Sequence, residues 1–512
     1  MATSVFEIIG PVMVGPSSSH TAGMARIGAM AHRIVAEQAA AIHLDLSPKL
    51  RTTYTGHRTD AALIGGAMGF RESGSEIRDA LQIAHDRGIQ TSVDFLPEGE
   101  YPQNTAKITV KTVNGASYSV TGTSVGGGSI VISEVDGVPI QLQADAYHII
   151  VWSEQPLESQ TVPACGNVRS GLSERGLRVT ALTFIHDPGE ATVQTLRNLA
   201  GVRKVSAVMP VLEYGVSLPD GKIYHSCEEA CADAAKQKIT LAEIAIRYEM
   251  ERAGFDRKAV VSRMHTHLEQ MRKSVRRGQQ KNKMLYGLAS GKDAAMLMKT
   301  VSEGKTISGG IVPAAAAMAL GVMEYNASMG CIVAAPTAGS SGIVPGSMIA
   351  VQEAFGFSDE QLVDALFVSA LMGIIMAERD VSFSGSVGGC QGEVGVSSAI
   401  TAAGLASLFS DDPNVIVHAM ALCLKNLLGL VCDPIAGPIE IPCIKRNAVG
   451  VANAFISADM AVAGIKSFIP PDEVIDALVD VERRLPPELK CATIGGLACT
   501  CTAKCVREKL AK

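Results

Sequence analysis

The chain has 512 residues, more than one ordinary hydrophobic core accommodates, so its length predicts roughly two to four domains. Its net charge of −6 gives no electrostatic basis for binding nucleic acid or an anionic membrane, and a small-molecule substrate is expected instead. Twelve cysteines in so long a chain indicate reduced thiols and a cytoplasmic location, because secreted disulfide-bonded domains are short and denser in cysteine.

The N-terminus and the apolar runs of the chain predict no membrane segment. The first residues lack the basic stretch that opens a signal peptide. The apolar run ALFVSALMGIIMAERD (365–380) holds about a dozen uninterrupted apolar residues, fewer than the roughly 18 to 20 that span a bilayer. Aromatic residues make up only 4% of the chain, so we expect tightly packed buried helices built from small and aliphatic residues.

Residues 1–145 alternate strand-like runs with turn signals and two helical segments, which predicts an α+β domain. The strand-like runs are AIHLDLS (41–47), KITVKTV (107–113), YSVTGTS (118–124) and VISEVDGVPIQLQA (131–144), and the helical segments are HTAGMARIGAMAHRIVAEQA (20–39) and GHRTDAALIGGAMGF (56–70). The Asp-Gly pair in the last strand-like run predicts a hairpin.

Residues 146–216 predict a small ferredoxin-like unit in which strands and helices alternate. Its two predicted helices are VRSGLSERGL (168–177) and GEATVQTLRNLA (189–200). Residues 217–227 contain Pro, Asp and Gly together and are predicted to be a linker. Residues 228–512 predict a mostly α-helical C-terminal domain.

Three cysteines, Cys390, Cys432 and Cys443, each lie in a turn rich in Gly or Pro. Four thiolates close an iron-sulfur cube for electron transfer, whereas three leave one iron free to act as a Lewis acid. The pattern therefore indicates a cluster with an open position. The alternative is a set of buried structural cysteines, because free cysteine is among the most buried residue types.

Two segments combine a Gly-Pro-rich turn with several hydroxyl groups: GPSSSHTAG (15–23) and APTAGSSGIVPG (335–346). Backbone N–H groups and hydroxyls at such turns suit a carboxylate or a phosphate. The alternatives are an ordinary helix cap for the first segment and a connecting loop for the second. The hydroxyl-bearing candidates are Ser17, Ser18, Ser19, Thr337, Ser340 and Ser341.

Two histidines, His20 in the first of these segments and His57 in YTGHRTD (54–60), are candidate general bases. An unperturbed imidazole has a pKa near 6.5 and accepts protons around neutral pH. The alternative for each histidine is a structural role.

Longer segments extend these motifs, and they are distributed along most of the chain, from residue 6 to residue 450. They are FEIIGPVMVGPSSSHTAGMARIG (6–28), YTGHRTDAALIGG (54–66), NTAKITV (104–110), TGTSVGGGSI (121–130), MGCIVAAPTAGSSGIVPG (329–346), SGSVGGCQGEVG (384–395) and NLLGLVCDPIAGPIEIPCIKRNAVG (426–450). The first four resemble the β part of the iron-sulfur-dependent L-serine dehydratase (L-serine ammonia-lyase) family, and the last three resemble its α part. The two parts are fused here, and residues 146–216 fall where the two-subunit form carries an ACT regulatory domain, shortened in this chain.

The resemblance implies a 4Fe-4S cluster ligated by Cys390, Cys432 and Cys443. The substrate is then L-serine, which loses its α-proton and its β-hydroxyl and ends as pyruvate and ammonia. The two hydroxyl-rich segments would hold the substrate, and His20 or His57 would be the base. The expected partners are a small amino acid and a second copy of the chain in a homodimer.

Several alternatives remain open at this stage. The same chemistry on another β-hydroxy or β-substituted amino acid, or a non-catalytic amino-acid or redox sensor, fits the same motifs. Lys445 and Arg446 balance the charge of a cluster, hold a carboxylate or form structural ion pairs. The tail cysteines Cys499, Cys501 and Cys505 either reach the open iron in the absence of substrate or are ordinary cysteines of a terminal helix.

Overall fold

The structure is a computed structural model that describes residues 2–51, 53–102, 104–158, 161–212, 214–218, 221–491 and 494–510. It divides into a helical unit, residues 1–18 with 219–512, and a sheet-rich unit, residues 19–218. The predicted α+β N-terminal part and mostly α-helical C-terminal part are therefore confirmed in general. The finer domain limits stay predictions, and Pro219 and Asp220 of the predicted linker lie outside the described residues.

The helices and strands are numbered in chain order. The strands are β1 Val12–Val14, β2 Ala39–Leu46, β3 Gln90–Phe95, β4 Thr105–Thr112, β5 Ser117–Gly126, β6 Ser129–Val135, β7 Val138–Gln143, β8 Tyr147–Ser153, β9 Asn167–Leu172, β10 Arg178–Phe184, β11 Val202–Val208 and β12 Cys331–Val333. The α-helices are α1 Val5–Ile8, α2 Gly23–Val35, α3 Thr59–Ala67, α4 Ala80–Asp86, α5 Gly189–Arg197, α6 Cys227–Gln237, α7 Leu241–Ala253, α8 Arg257–Gly278, α9 Asp293–Ser302, α10 Ile311–Ala327, α11 Ile343–Phe355, α12 Asp359–Glu378, α13 Gly385–Gly388, α14 Val396–Ser407, α15 Pro413–Lys425, α16 Cys443–Val462, α17 Pro471–Arg484 and α18 Cys501–Leu510.

Six strands of the sheet-rich unit form one sheet in the order β3-β2-β4-β5-β6-β7. All neighbours are antiparallel except β2 and β3, which run parallel. The strands and helices expected from the alternating and helical patterns in this part are confirmed. The predicted hairpin turns at Asp136 and Gly137, whose φ angles are 51° and 75°, as an Asp-Gly hairpin requires.

A second, antiparallel sheet has the order β11-β8-β10-β9. Helix α5 packs on it through Val193 and Leu196, which share a buried cluster with β8 and β10. The predicted helix over residues 168–177 is wrong, because β9 occupies Asn167–Leu172 and pairs with β10 after a turn at Gly176. Pairing with a neighbouring strand decides the conformation of this short segment, whatever its local propensity.

The first residues of the chain belong to the helical unit. Glu249 of α7 is fully buried, accepts hydrogen bonds from Ser4 Oγ (2.9 Å) and the Val5 N–H (3.0 Å), and pairs with Arg252 at 2.6 Å. Strand β1 then pairs antiparallel with β12, with Val12 opposite Val333. The start of the chain thus completes the core of a unit whose other residues come more than 200 positions later.

Small residues let the helices of this unit approach closely, as predicted. A Cβ added to Gly278 of α8 would lie 2.2 Å from the backbone of Gly321 in α10, and one at Gly404 of α14 would lie 2.4 Å from Ser369 Oγ in α12. Helix α12 is long and apolar enough to cross a membrane by length and composition, yet 78% of its most apolar window is buried inside the protein. Such burial is typical of a core helix.

A buried histidine makes the stability of the helical unit depend on pH. His267 of α8 donates from Nδ1 to the Ile9 carbonyl at 2.6 Å, and its burial lowers its pKa to about 4. Because this pKa lies below the unfolded value near 6.5, the neutral ring stabilises the fold above that value, and the contribution disappears as the pH falls towards 4. We expect this group to cost about 2 kcal/mol of unfolding free energy between about pH 7 and pH 5.

Denaturant titrations at the two pH values check this expectation. His267→Gln keeps an N–H donor but cannot titrate, so its unfolding free energy should decline less with acid than that of the wild type. Equal declines in the two proteins would show that other groups cause the acid sensitivity.

Candidate functional site

Cys390 immediately precedes a π-helical turn, Gln391–Gly395, that leads into α14. The Gln391 N–H donates to the Leu430 carbonyl at 2.9 Å, and Gln391 Oε1 accepts the Gly429 N–H at 2.8 Å. These bonds hold the segment of Cys390 against the segment of Cys432. Single π-helical turns are rare and are frequently found at functional sites.

Cys432 and Cys443 come from two further turns of the helical unit. The Cys432 N–H donates to the Leu489 carbonyl at 2.9 Å, and its own carbonyl accepts the Cys491 N–H at 2.7 Å. Cys443 is the first residue of α16. Burial, together with the negative charges of Cys390 and other neighbours, raises the pKa of the Cys443 thiol well above its usual value.

The geometry brings donor atoms of the Cys390 turn and the Cys432 turn together. The ligand atoms of Cys390, Glu393 and Cys432 all lie within 4.8 Å of one another. Hydrogen bonds with the side chains of Cys390 and Cys491, followed by burial, raise the pKa of Cys432 well above its usual value. Soft thiolates select iron-sulfur clusters, zinc or copper(I). Because neighbouring thiolates repel one another, these crowded thiols ionise only when a cation lies beside them. The residues present therefore fit a thiolate-ligated cluster.

Arg446, one turn into α16, connects the thiols to the C-terminal segment. Its Nη1 donates to Cys390 Sγ at 3.4 Å and to the Val431 carbonyl at 2.8 Å, and its Nη2 pairs with Asp433 at 2.8 Å. The other oxygen of Asp433 accepts the Leu497 N–H at 2.8 Å. Lys445 points elsewhere and lies 3.5 Å from Asp293, with its side chain 67% exposed. Of the alternatives for these two residues, charge balance suits Arg446, which contacts Cys390, and a structural ion pair suits Lys445.

Glu393 is a site residue that sequence reasoning missed. Burial raises its pKa to about 7, although the hydrogen bond from Thr337 and the charge of Arg446 act in the opposite direction. The Thr337 hydroxyl donates to Glu393 Oε1 at 3.0 Å. The available signal was its position three residues after Cys390, which placed it in the same motif.

The hydroxyl-rich loop 335–346 is held in place by Asn447 of α16. Asn447 Oδ1 accepts the Gly342 N–H at 3.1 Å, and its Nδ2 donates to the Gly339 carbonyl at 2.9 Å. Within the loop, Ser340 Oγ donates to the Ala335 carbonyl and Ser341 Oγ to the Ala338 carbonyl. The Thr337 hydroxyl is thus the one that contacts Glu393, whereas those of Ser340 and Ser341 stabilise the turn.

The first hydroxyl-rich segment begins beside this loop. Asn326 of α10 donates to the carbonyls of both Pro16 (3.1 Å) and Ala338 (3.2 Å), so one side chain joins the two segments. A Cβ on Gly15 would lie 2.0 Å from Asn326 Oδ1, so only glycine fits there. Ser17 and Ser18 follow within the helical unit, and both are buried.

Ser19, His20 and His57 belong to the sheet-rich unit. Ser19 and His20 lie in a π-helical turn, Ser18–Ala22, and the ring of His20 stacks on that of His57 with centroids 4.4 Å apart. Burial lowers the pKa of His57 to about 4, and burial with the charge of His57 lowers that of His20 well below its usual value. His57 Nδ1 donates to the Thr53 carbonyl at 3.0 Å, which leaves Nε2 as the acceptor.

Cys491 is a fourth cysteine beside the thiols of Cys390 and Cys432, and none of the sequence motifs indicated it. Its N–H bonds to Cys432 and its side chain contacts that of Cys432. The tail cysteines Cys499, Cys501 and Cys505 are exposed in the described structure, and Cys499 Sγ donates to the Ile494 carbonyl. The structure therefore favours the alternative in which these three are ordinary cysteines.

Comparison with known proteins assigns both parts of the chain to families. The serine dehydratase beta chain family matches residues 4–97, and the serine dehydratase alpha chain family matches residues 236–498. The fold, the thiol site and these matches define an enzyme that carries both parts of a two-part dehydratase in one polypeptide. The chain belongs to the serine dehydratase family.

Individual relatives agree with this assignment. The chain is 39% identical over 288 residues to the probable L-serine dehydratase alpha chain of Bacillus subtilis, covering 56% of this chain and 95% of the relative. It is 27% identical over 514 residues to L-serine dehydratase 2 of Escherichia coli and 25% identical over 505 residues to L-serine dehydratase of Haemophilus influenzae. Each of these two alignments covers 97% of this chain and 98% of the relative.

Proposed function

We propose that the protein is an L-serine ammonia-lyase, which removes water from L-serine and yields pyruvate and ammonia. The observation that carries this proposal is the convergence of Cys390, Cys432 and Glu393 on one buried point beside a hydroxyl-rich loop. The names of the relatives, which are L-serine dehydratases, support the same substrate.

Cys390, Cys432 and Cys443 are the proposed ligands of a 4Fe-4S cluster. When bound, the cluster supplies a Lewis-acidic iron that assists the departure of a hydroxide ion from the substrate. Arg446 offsets the negative charge of the thiolates through its contact with Cys390. The outer partners of metal ligands fix the orientation of those ligands, so Asp433 and Arg446 together keep Cys390 in place.

The remaining site residues bind the amino acid and move its proton. Ser17, Ser18, Ser19, Thr337, Ser340 and Ser341 are the proposed substrate-binding residues, through hydroxyls or through the turns that these hydroxyls stabilise. His20 or His57 is the proposed acceptor of the α-proton. Both imidazoles are neutral at physiological pH because burial lowers their pKa values, and a neutral imidazole is the form that accepts a proton. Loss of the α-proton and the β-hydroxyl leaves aminoacrylate, which tautomerises and hydrolyses to pyruvate and ammonia.

We further propose that residues 146–216 form a shortened ACT-like domain of the ferredoxin-like class. In chain order, the four strands of its sheet are arranged fourth-first-third-second, as in a β-α-β-β-α-β unit. Helix α5 joins the third and fourth strands, whereas the described residues between the first and second strands contain no α-helix.

The proposed assembly is a homodimer in the cytoplasm. The exposed face of α16 and the loop after it carry apolar side chains, including Val449, Ile456 and Phe468, which are 59%, 56% and 95% exposed. Clustered apolar residues on a surface favour association with a partner, here a second copy of the chain. The cysteines of the described structure are free thiols, which suits a reducing compartment.

An anaerobic preparation tests the proposed function. Purified and reconstituted protein should contain iron and acid-labile sulfide and should form equal amounts of pyruvate and ammonia from L-serine. Exposure to oxygen should remove both the cluster and the activity, and L-threonine and other β-hydroxy amino acids should react more slowly. Full iron content without ammonia release from any of these amino acids would indicate a sensor instead of an enzyme.

A further inference from the structure

A bound α-amino acid presents an ammonium group for which the proposed site has so far named no partner. The hydroxyl-rich turns suit the carboxylate of the substrate, and the open position of a cluster suits its hydroxyl group. Removing a charged ammonium from water without an opposite charge beside it is costly. An enzyme that selects amino acids therefore needs an anionic group at the point where the ammonium lies.

The acidic side chains around the thiols differ in how many hydrogen bonds and ion pairs their carboxylate oxygens already accept. Both oxygens of Asp433 are engaged, one by Arg446 and the other by the Leu497 N–H. Glu440 accepts three backbone N–H groups of residues 286–289 and so anchors that loop. Among the described residues, Glu393 has a hydrogen bond to only one of its oxygens, Oε1, which leaves Oε2 for a ligand.

The surroundings of Glu393 leave room for such a ligand. Glu393 is half-buried as a residue, whereas Cys390 and Cys432 are buried. A Cβ on Gly385 would lie 2.7 Å from Glu393 Oε2, and one on Gly339 would lie 3.2 Å from Glu393 Oε1. Glycine at these two positions thus keeps the space around both carboxylate oxygens free of side chains.

The position of Glu393 also matches the shape of an amino acid. The ammonium and carboxylate of the substrate are attached to one carbon atom, so their partners in the protein must be neighbours. The hydrogen bond of 3.0 Å between Thr337 and Glu393 makes the carboxylate-binding loop and this acidic side chain neighbours. The carboxylate of Glu393 also lies within 4.8 Å of the sulfur atoms of Cys390 and Cys432, so Glu393 is adjacent to the proposed metal site as well.

We propose that Glu393 binds the ammonium group of the substrate and thereby restricts the enzyme to α-amino acids. This inference rests on the proposed function, because it assumes that an amino acid binds beside the thiols. It assigns to Glu393 a substrate-binding role that is separate from holding the cluster.

Binding measurements on Glu393→Gln test the proposal. The variant keeps the size of the side chain and removes its charge. Rapid mixing of anaerobically reconstituted protein with each ligand, which records the change in cluster absorbance before turnover, would compare L-serine with 3-hydroxypropanoate, which has the same carboxylate and hydroxyl groups but no ammonium. We expect Glu393→Gln to bind L-serine about 30- to 300-fold more weakly, as for a lost buried charge pair, and to bind 3-hydroxypropanoate within about threefold of the wild type.

Two further variants keep the test decisive. Glu393→Asp retains the charge on a shorter side chain and should recover part of the L-serine affinity. Glu324→Gln changes another buried glutamate of the same unit, whose Oε1 accepts the Asp293 N–H, and should leave both affinities unchanged. Iron and sulfide contents are measured for every variant.

Each outcome has a separate meaning. Equal weakening of both ligands, or loss of iron from Glu393→Gln, would overturn the proposal in favour of a metal-binding or structural role. Unchanged L-serine binding by Glu393→Gln, with normal binding by the wild type, would overturn this inference alone. Failure of the wild type to bind L-serine would instead reject the proposed function and this inference with it.

Discussion

Replacing Cys390 with serine is expected to remove the cluster and to lower ammonia-lyase activity by more than about 100-fold. Loss of an outer partner of a metal ligand already costs about 10- to 100-fold in affinity or activity, and loss of the ligand itself costs more. A serine hydroxyl is a hard, weakly acidic donor, whereas iron-sulfur clusters are held by soft thiolates. The substitution also removes the sulfur that accepts the Arg446 hydrogen bond.

Iron and sulfide analysis and the rate of pyruvate formation measure the effect. Cys423→Ser is a matched control, because Cys423 is equally buried in the helical unit and its thiol bonds to Ser398, Asn453 and Ser457, none of which is a proposed site residue. It should retain iron and most of the activity. Normal iron content and activity in Cys390→Ser would reject the proposed cluster ligands.

Replacing Arg446 with alanine is expected to destabilise the helical unit by about 3 to 5 kcal/mol. The change leaves Asp433, whose side chain is 4% exposed, as a buried carboxylate without its cation. It also removes the hydrogen bonds to Cys390 and to the Val431 carbonyl, so that the turns of Cys390 and Cys432 lose a shared support. We therefore expect lower iron content in addition to lower stability.

Lys445→Ala is the control for this prediction, since it changes the neighbouring cation in the same helix. The cation of its ion pair with Asp293 is 67% exposed to solvent, which screens the pair, so we expect a contribution of about 0 to 1 kcal/mol. Denaturant unfolding should therefore separate the two variants by several kilocalories per mole. Similar stabilities for Arg446→Ala and Lys445→Ala would mean that Asp433 finds another partner or is neutral.

The sequence predicted the parts of this structure that depend on local patterns. Strands β4 to β7 follow from their alternation, and the three proposed ligand cysteines are marked by long Gly- and Pro-containing motifs. The edge strand β9 was predicted as a helix, because its conformation is decided by hydrogen bonds with β10, which the local pattern does not reveal. Pairing across a sheet is a property of the folded chain.

In the candidate site, too, the sequence does not reveal which single side chains become neighbours when the chain folds. Glu393 is one of 51 acidic residues, and only the fold shows that it is close to Thr337, Cys390 and Cys432. Cys491 likewise gains its significance from the backbone hydrogen bonds that join it to Cys432. Residue type and spacing could indicate the turns that carry the three cysteines. They could not indicate that Glu393 and Cys491 would lie beside those cysteines in the folded chain.

The pairing of β1 with β12 has a consequence for how this polypeptide tolerates division. Residues 4–14 contribute a strand and a buried anchor to the helical unit, although most of that unit follows residue 218. A break in the backbone between the two units would therefore not release them as free fragments. The N-terminal piece would stay bound by strand complementation, as a donated strand does in other proteins. Such an arrangement allows one gene to become two, or two to become one, without rebuilding the core of the helical unit.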